Sequence, residues 1–167
     1  MITLLWTKSN LPLSRVIRWA TNDDCSHFAI CFDKRVVFHS NFYGVHIDWF
    51  DKFASHCDIV HKIQLPTYTL EQEELVYQKA ISITGQQYDY LGLLYFGWRM
   101  FLLKTFGKPL PLKNKWGSAS LELCIEAFTV LSPVMATPEN LSMLTPDQLF
   151  QYTKTLLGVS NGNISSN

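Results

Sequence analysis

What most restricts the fold of this chain is the order of its two hydrophobic periodicities. Strand-like runs crowd into the first 65 residues, and helix-period patterns follow them. Met1 to Trp6 is an apolar opening run without a basic lead or a small-residue cleavage site, so it reads as a strand rather than a targeting signal. Phe28 to Phe32 and Arg35 to His39 are short apolar runs joined by Asp33-Lys34, which predicts a β-hairpin. Val45 to Trp49 alternates like a strand, and Cys57 to Leu65 adds another that Pro66 ends. Strands first and helices after them predict an α+β architecture.

The helical signals are equally local. After Pro12, the stretch Leu13 to Thr21 sets Leu13, Val16, Ile17 and Ala20 at helical spacing, with Arg15 and Arg18 on the other face. Thr69-Leu-Glu-Gln72 is a capping box ahead of Leu75, Val76, Ala80 and Ile83, and Gly85 is a natural stop. Tyr90 to Phe106 is densely apolar but shorter than the roughly 20 residues of a membrane span, and Arg99 interrupts it. It is expected to be a buried helix or one lining an apolar pocket, with no transmembrane span. A basic loop, 107–117, should lead into a helix over 118–131 with Leu121, Cys124, Ile125 and Phe128 on one stripe. Thr145-Pro-Asp-Gln148 starts the last helix. One domain over 1–157 is expected, with a small, polar, disordered tail over 158–167.

Composition matters at three points. Hydrophobic residues at 47% against 17% charged exclude a disordered chain. Fourteen basic and 14 acidic residues balance, which removes bulk electrostatics as a reason to bind nucleic acid. Four cysteines, at 25, 31, 57 and 124, make no C-x-x-C pair, so reduced thiols are expected.

The chemistry-bearing residues are the two histidines of the predicted hairpin. His27 opens one strand and His39 closes its partner, so both fall at the same end. That is the arrangement of a general base and its orienting group; the plainer alternative is two strand-edge histidines bonded to backbone or water. A nucleophile is then wanted, most economically a cysteine at a helix N-terminus, where thiolate is favoured. Position 120, at the start of the expected helix, holds Ser120, while Cys124 lies a turn further in. His46, His56 and His61 are expected to have surface or capping roles, and Asp23-Asp24 reads as turn chemistry. A zinc site from His27, His39 and Cys57 is conceivable, but no local spacing supports it.

Several of these segments together resemble circularly permuted NlpC-type papain-like hydrolases, a group with bacterial amidases, a poxvirus member and lecithin retinol acyltransferase. They are Leu13 to Thr21, Ser26-His-Phe-Ala-Ile30, Tyr43-Gly-Val-His-Ile-Asp48, Gly85-Gln-Gln-Tyr-Asp89, Ser120-Leu-Glu-Leu-Cys-Ile-Glu-Ala-Phe128 and Leu144 to Leu149. The resemblance covers roughly residues 1–150. It implies a small antiparallel sheet packed on a nucleophile helix, and a thiol hydrolase of amidase or peptidase type acting on an amide, ester or thioester. His27 would be the base, His39 its orienter, and position 120 the nucleophile; Tyr88 would line the cleft. No metal or organic cofactor is implied. The substrate would be a peptide, a peptidoglycan-like compound or a lipid acyl group, met in the cytoplasm or in association with a virus.

The departure is Ser120, where the family pattern has cysteine. Three explanations stay open: a catalytic cysteine replaced by serine to give an inactive form, a natural pseudoenzyme or serine-using variant, and a shifted register in which Cys124 is the nucleophile. A catalytically dead binding module on the same scaffold, or an acyltransferase acting on lipid, are the competing functions.

Overall fold

A computed structural model describes residues 1–66, 68–107, 121–122, 126–139, 141 and 144–158. Five strands form one antiparallel sheet: β1 (Ile2–Lys8), β2 (His27–Phe32), β3 (Val36–Asn41), β4 (Gly44–Trp49) and β5 (Asp58–Gln64), in the order β4-β3-β2-β1-β5. The hairpin of β2 and β3 turns on Asp33 and Lys34, both with positive φ (50° and 58°), in the left-handed region that lets a tight turn follow the strand twist. Its register sets Ala29 opposite His39.

The sheet is covered unequally on its two faces. Trp6, Phe28, Ile30 and Phe38 point to the larger core, where Ala127, Phe128, Val130, Leu131, Leu149 and Phe150 pack against them. Phe128 belongs to a short 3₁₀ helix, Glu126–Leu131, and Phe150 to α5 (Pro146–Leu157). Each such buried apolar side chain contributes about 1.5–3 kcal/mol through its area alone. The opposite face carries Leu5, Ala29, Cys31 and Val37 under Phe53 of a short helix, α2 (Phe50–Ala54). His27, His39 and His46 lie on this second face.

The outer helices start and stop as their end residues dictate. α1 (Pro12–Thr21) has proline in its first turn and ends on Asn22 in the left-handed region. α3 (Leu70–Ile83) and α5 each open on a complete capping box, from Thr69 with Gln72 and from Thr145 with Gln148. Val76 and Ala80 are the buried residues of α3.

Three expectations are corrected. The apolar stripe of α1 is not its buried side: Leu13 and Val16 are exposed, whereas Ser14 is buried. Ser14 is drawn in by polar contacts, its Oγ 2.6 Å from Ser26 Oγ and 3.1 Å from the Ser9 amide that donates to it. α4 (Tyr90–Phe106) forms, but it is not a buried helix, because Leu91, Leu94, Trp98 and Phe106 stay largely exposed. Among the described residues no helix is long and apolar enough to cross a membrane. The helix expected over 118–131 is absent at Leu121–Glu122, which form a strand (β7) parallel to Gln87–Tyr88 (β6), and Glu126–Leu131 is 3₁₀ rather than α-helical. Tight helical apolar spacing cannot exclude a strand that finds a partner elsewhere in the chain. Ser120, Cys124, the loop over 108–117 and the tail over 159–167 lie outside the described residues.

Gly44 joins the small sheet to the large one. Its φ is +113°, and a Cβ there would stand 2.5 Å from the Gln86 carbonyl oxygen, which accepts from the Val45 amide at 2.9 Å. Gly44→Ala is expected to cost about 2–3 kcal/mol in urea unfolding, from strained backbone plus a clash with main chain that has little freedom to retreat. Gly85→Ala, with φ +91° and open space around it, carries the backbone strain alone and should cost less. Equal losses at the two positions would show that the contact between β4 and β6 yields easily.

Candidate active site

Alternation along two strands, plus a diagonal across the hairpin, builds the site. His27 and Ala29 share a face of β2, and Ala29 is the register partner of His39, so His27 and His39 meet diagonally at one end of the hairpin. Their rings stand 5.3 Å apart, edge to face, with His27 Nε2 3.2 Å from His39 Nδ1. β4 extends the cluster: His46 is the direct register partner of His39, and Asp48 follows two residues later on the same face. His39 Nε2 is 3.4 Å from Asp48 Oδ2, and Lys52 of α2 donates to Asp48 Oδ1 at 2.6 Å. Phe53 packs edge-on against His39 at 4.9 Å between ring centroids, closing the site from α2.

These contacts assign the protons. A carboxylate only accepts, so His39 donates from Nε2 to Asp48. Its Nδ1 is then an acceptor, and His27 donates to it from Nε2. The second nitrogen of His27, Nδ1, is left with a lone pair. A base oriented by a partner that is itself oriented by a half-buried carboxylate has the proton order of a catalytic triad's base.

The electrostatics keep that base neutral. Burial, with the neighbouring His39 and His46 rings adding to it, pushes His27 down to about 3. Burial and His46 likewise take His39 down to about 4, against the pull of Asp48. Asp48 lies below the ordinary carboxylate range: burial opposes this, but the hydrogen bonds from Lys52 and His39 outweigh it. At pH 7 the pair is therefore two neutral imidazoles beside one carboxylate, with His39 buried and His27 keeping a partly exposed edge.

The described thiols are poor nucleophiles. Burial raises all three, Cys25, Cys31 and Cys57, above the usual thiol range. Cys25 is raised furthest, because its Sγ also donates to Asp147 Oδ1 at 2.8 Å. That contact is structural, since Asp147 at the start of α5 also accepts from the Asp24 amide. Asp23 in turn accepts from the Asp147 amide, so the segment expected only to turn the chain also ties it to the start of α5.

Several expected roles change. His27, His39 and Cys57 do not gather as metal donors; among the described residues the group that does is His39, His46 and Asp48. Cys57 instead donates to the Phe53 carbonyl oxygen at 3.3 Å. His46, expected to be a surface or capping residue, is an inner member of the cluster, with Nδ1 3.1 Å from the Gly44 carbonyl. His56 is exposed and bonded to Lys52 O, and His61 stacks on Phe150 at 4.0 Å. Tyr88 is buried in β6 and stands edge-on to Tyr90. His46 and Asp48 were missed because they gain meaning only from the β3–β4 register. The signal was there: a His-x-Asp alternation in a strand that follows a His-ended strand after one short turn.

Comparison with protein-family models, curated proteins and solved structures finds no match. The His27–His39–Asp48 relay therefore stands on its own geometry.

Proposed function

We propose that this chain is built as a thiol hydrolase of amidase or peptidase type, with Ser120 holding the nucleophile's position in an inactive form. The observation that carries the reading is the relay itself, which leaves His27 Nδ1 as a neutral, oriented base. A base of that kind does its work on a weakly acidic nucleophile, and a thiol fits it better than a serine hydroxyl. In the proposed reaction the group at 120 attacks the acyl carbon of an amide, ester or thioester while His27 takes its proton. His27 then returns that proton to the leaving group. His39 and Asp48 hold the tautomer throughout.

Two further observations support a nucleophile near residue 120. The described thiols are all raised out of the reactive range. The chain also enters β7 at Leu121, beside β6, whose neighbour Gln86 accepts from the Val45 amide of β4, the strand carrying His46 and Asp48. One feature does not favour the papain-like arrangement: Phe128 packs on the sheet face opposite His27.

Alkylation tests the reading. Ser120→Cys should give a thiol that iodoacetamide modifies at least tenfold faster than Cys124 in the same protein at pH 7, and His27→Ala should abolish the difference. An introduced thiol that reacts no faster than Cys124, or that is indifferent to His27, would falsify the assignment. A second reading, a binding module on this scaffold, is favoured by the exposed apolar residues of α4, Leu91, Leu94 and Trp98. It gains if the Ser120→Cys protein has the reactive thiol and binds acyl substrates yet turns none over.

A further inference from the structure

One place in the described structure has donors and acceptors that do not balance. His46 Nδ1 faces the Gly44 carbonyl, which only accepts, so this nitrogen carries the ring proton and Nε2 carries a lone pair. The Asn41 side chain agrees: its Oδ1 accepts from the Tyr43 amide at 2.8 Å, which turns its Nδ2 toward His46 Nε2 at 3.1 Å. Yet Asp48 Oδ2 lies 3.2 Å from that same nitrogen. Two lone pairs face each other at hydrogen-bond distance with no proton assigned between them. Asp48 Oδ2 also stands 3.4 Å from His39 Nε2, so one carboxylate oxygen is shared by two imidazoles.

We propose that His39 Nε2, His46 Nε2 and Asp48 Oδ2 form a site for a divalent ion of the zinc class, and that occupancy reverses the proton relay to His27. Bonds of about 2.0–2.1 Å to a tetrahedral ion place its donor atoms about 3.3 Å apart. The two edges to Asp48 are 3.2 and 3.4 Å, and each of the three residues offers a ligand atom within 4.8 Å of those of the other two. Two imidazoles and a carboxylate suit zinc better than magnesium or calcium, which prefer all-oxygen sets. His46 and Asp48 are part-exposed, which provides an entry path and room for water in a fourth position.

Each ligand already has the outer partner that orients a metal ligand. His46 gives its other N–H to a backbone carbonyl, Asp48 has its second oxygen on Lys52, and the other nitrogen of His39 is bonded to His27. The ion would displace two hydrogen bonds, that from Asn41 to His46 and that from His39 to Asp48.

The consequence for the base rests on the proposed hydrolase reading; the site itself does not. An ion on His39 Nε2 takes the lone pair that its proton now occupies. That proton leaves to solvent, the Nε2 proton of His27 passes to His39 Nδ1, and His27 Nδ1 takes a proton from solvent. The proton count is unchanged, but the free nitrogen of His27 becomes a donor. It can no longer accept a proton from a nucleophile, so the metal-bound protein is held off.

Cobalt and zinc titrations of the chain as it stands, with Ser120 in place, test this separately from the hydrolase reading. Co²⁺ should bind one equivalent, with d–d bands of low coordination number and no thiolate charge-transfer band. His46→Asn and Asp48→Asn should each weaken binding on the order of 100-fold, a loss at least as large as that of an outer-shell partner. His56→Asn, at an exposed histidine outside the cluster, should not. No binding, binding with a thiolate band, or binding indifferent to His46→Asn overturns the site. Nitrogen-15 NMR of the imidazoles then reads the relay: Zn²⁺ should move the His27 proton from Nε2 to Nδ1. Zinc bound through His46 with His27 unchanged overturns the regulatory half.

Discussion

Phe28→Ala is expected to lower the free energy of unfolding by about 3–5 kcal/mol, the range for deleting a fully buried aromatic ring. Phe28 is entirely inaccessible and stands between two other rings, 5.2 Å from Trp6 and 5.6 Å from Phe128. It joins β1, β2 and the Glu126–Leu131 helix, so the cavity opens where three segments distant in sequence meet. None of them can collapse into it without moving the others. At about 2–4 °C per kcal/mol for a domain this size, the midpoint should fall by roughly 6–20 °C. Urea unfolding followed by tryptophan fluorescence checks it, with Tyr43→Ala, at a ring that is 91% exposed, expected to change stability by less than about 0.5 kcal/mol. A loss below about 1 kcal/mol at Phe28 would mean that this junction is not the centre of the core.

Asp48→Asn is expected to disable the base while leaving the fold intact. Lys52 requires an acceptor where Asp48 Oδ1 now stands, so the asparagine oxygen takes that place and its NH₂ replaces Oδ2. The amide then donates to His39 Nε2, which must carry a lone pair. His39 donates from Nδ1 to His27, and the proton of His27 moves to Nδ1, the nitrogen that has to accept. Lys52 and His39 each keep a partner and His46 Nε2 keeps the bond from Asn41, so stability should hold to within about 1 kcal/mol. In a Ser120→Cys background the alkylation rate at pH 7 should fall about 10²-fold or more, as expected when a triad base is held in the wrong tautomer. Unchanged reactivity with His27 still protonated at Nε2 would show that Asp48 does not set the relay. A large loss of stability would show that the carboxylate is chiefly structural.

Much of this was open to reading residue by residue. Both helix caps, the Asp33-Lys34 turn and the pairing of His27 with His39 depend on contacts within about a dozen residues, and the five strands show in their own side-chain alternation and apolar runs, although β1 finds β2 and β5 far along the chain. The helix expected over 118–131 failed for the opposite reason. Leu121–Glu122 is a strand because Gln87–Tyr88, more than 30 residues earlier, offers it a backbone partner. α1 shows the same limit: helical spacing picks out its apolar stripe, while the Ser14–Ser26 hydrogen bond selects the buried side. Asp48 and His46 read as an ordinary polar alternation until the β3–β4 register sets them against His39.

By itself, then, the sequence determined the five strands of the main sheet, where the capped helices start, and that two histidines close one end of a hairpin. Those are consequences of side-chain period, backbone preference and capping, all of them short-range. Only the tertiary structure decided which face of the sheet holds His27, His39 and His46, which helix sides are buried, and that one carboxylate oxygen stands against two imidazoles. Such facts depend on strand register and on which surfaces meet, and a shift of one residue between β3 and β4 would turn His46 and Asp48 to the opposite face.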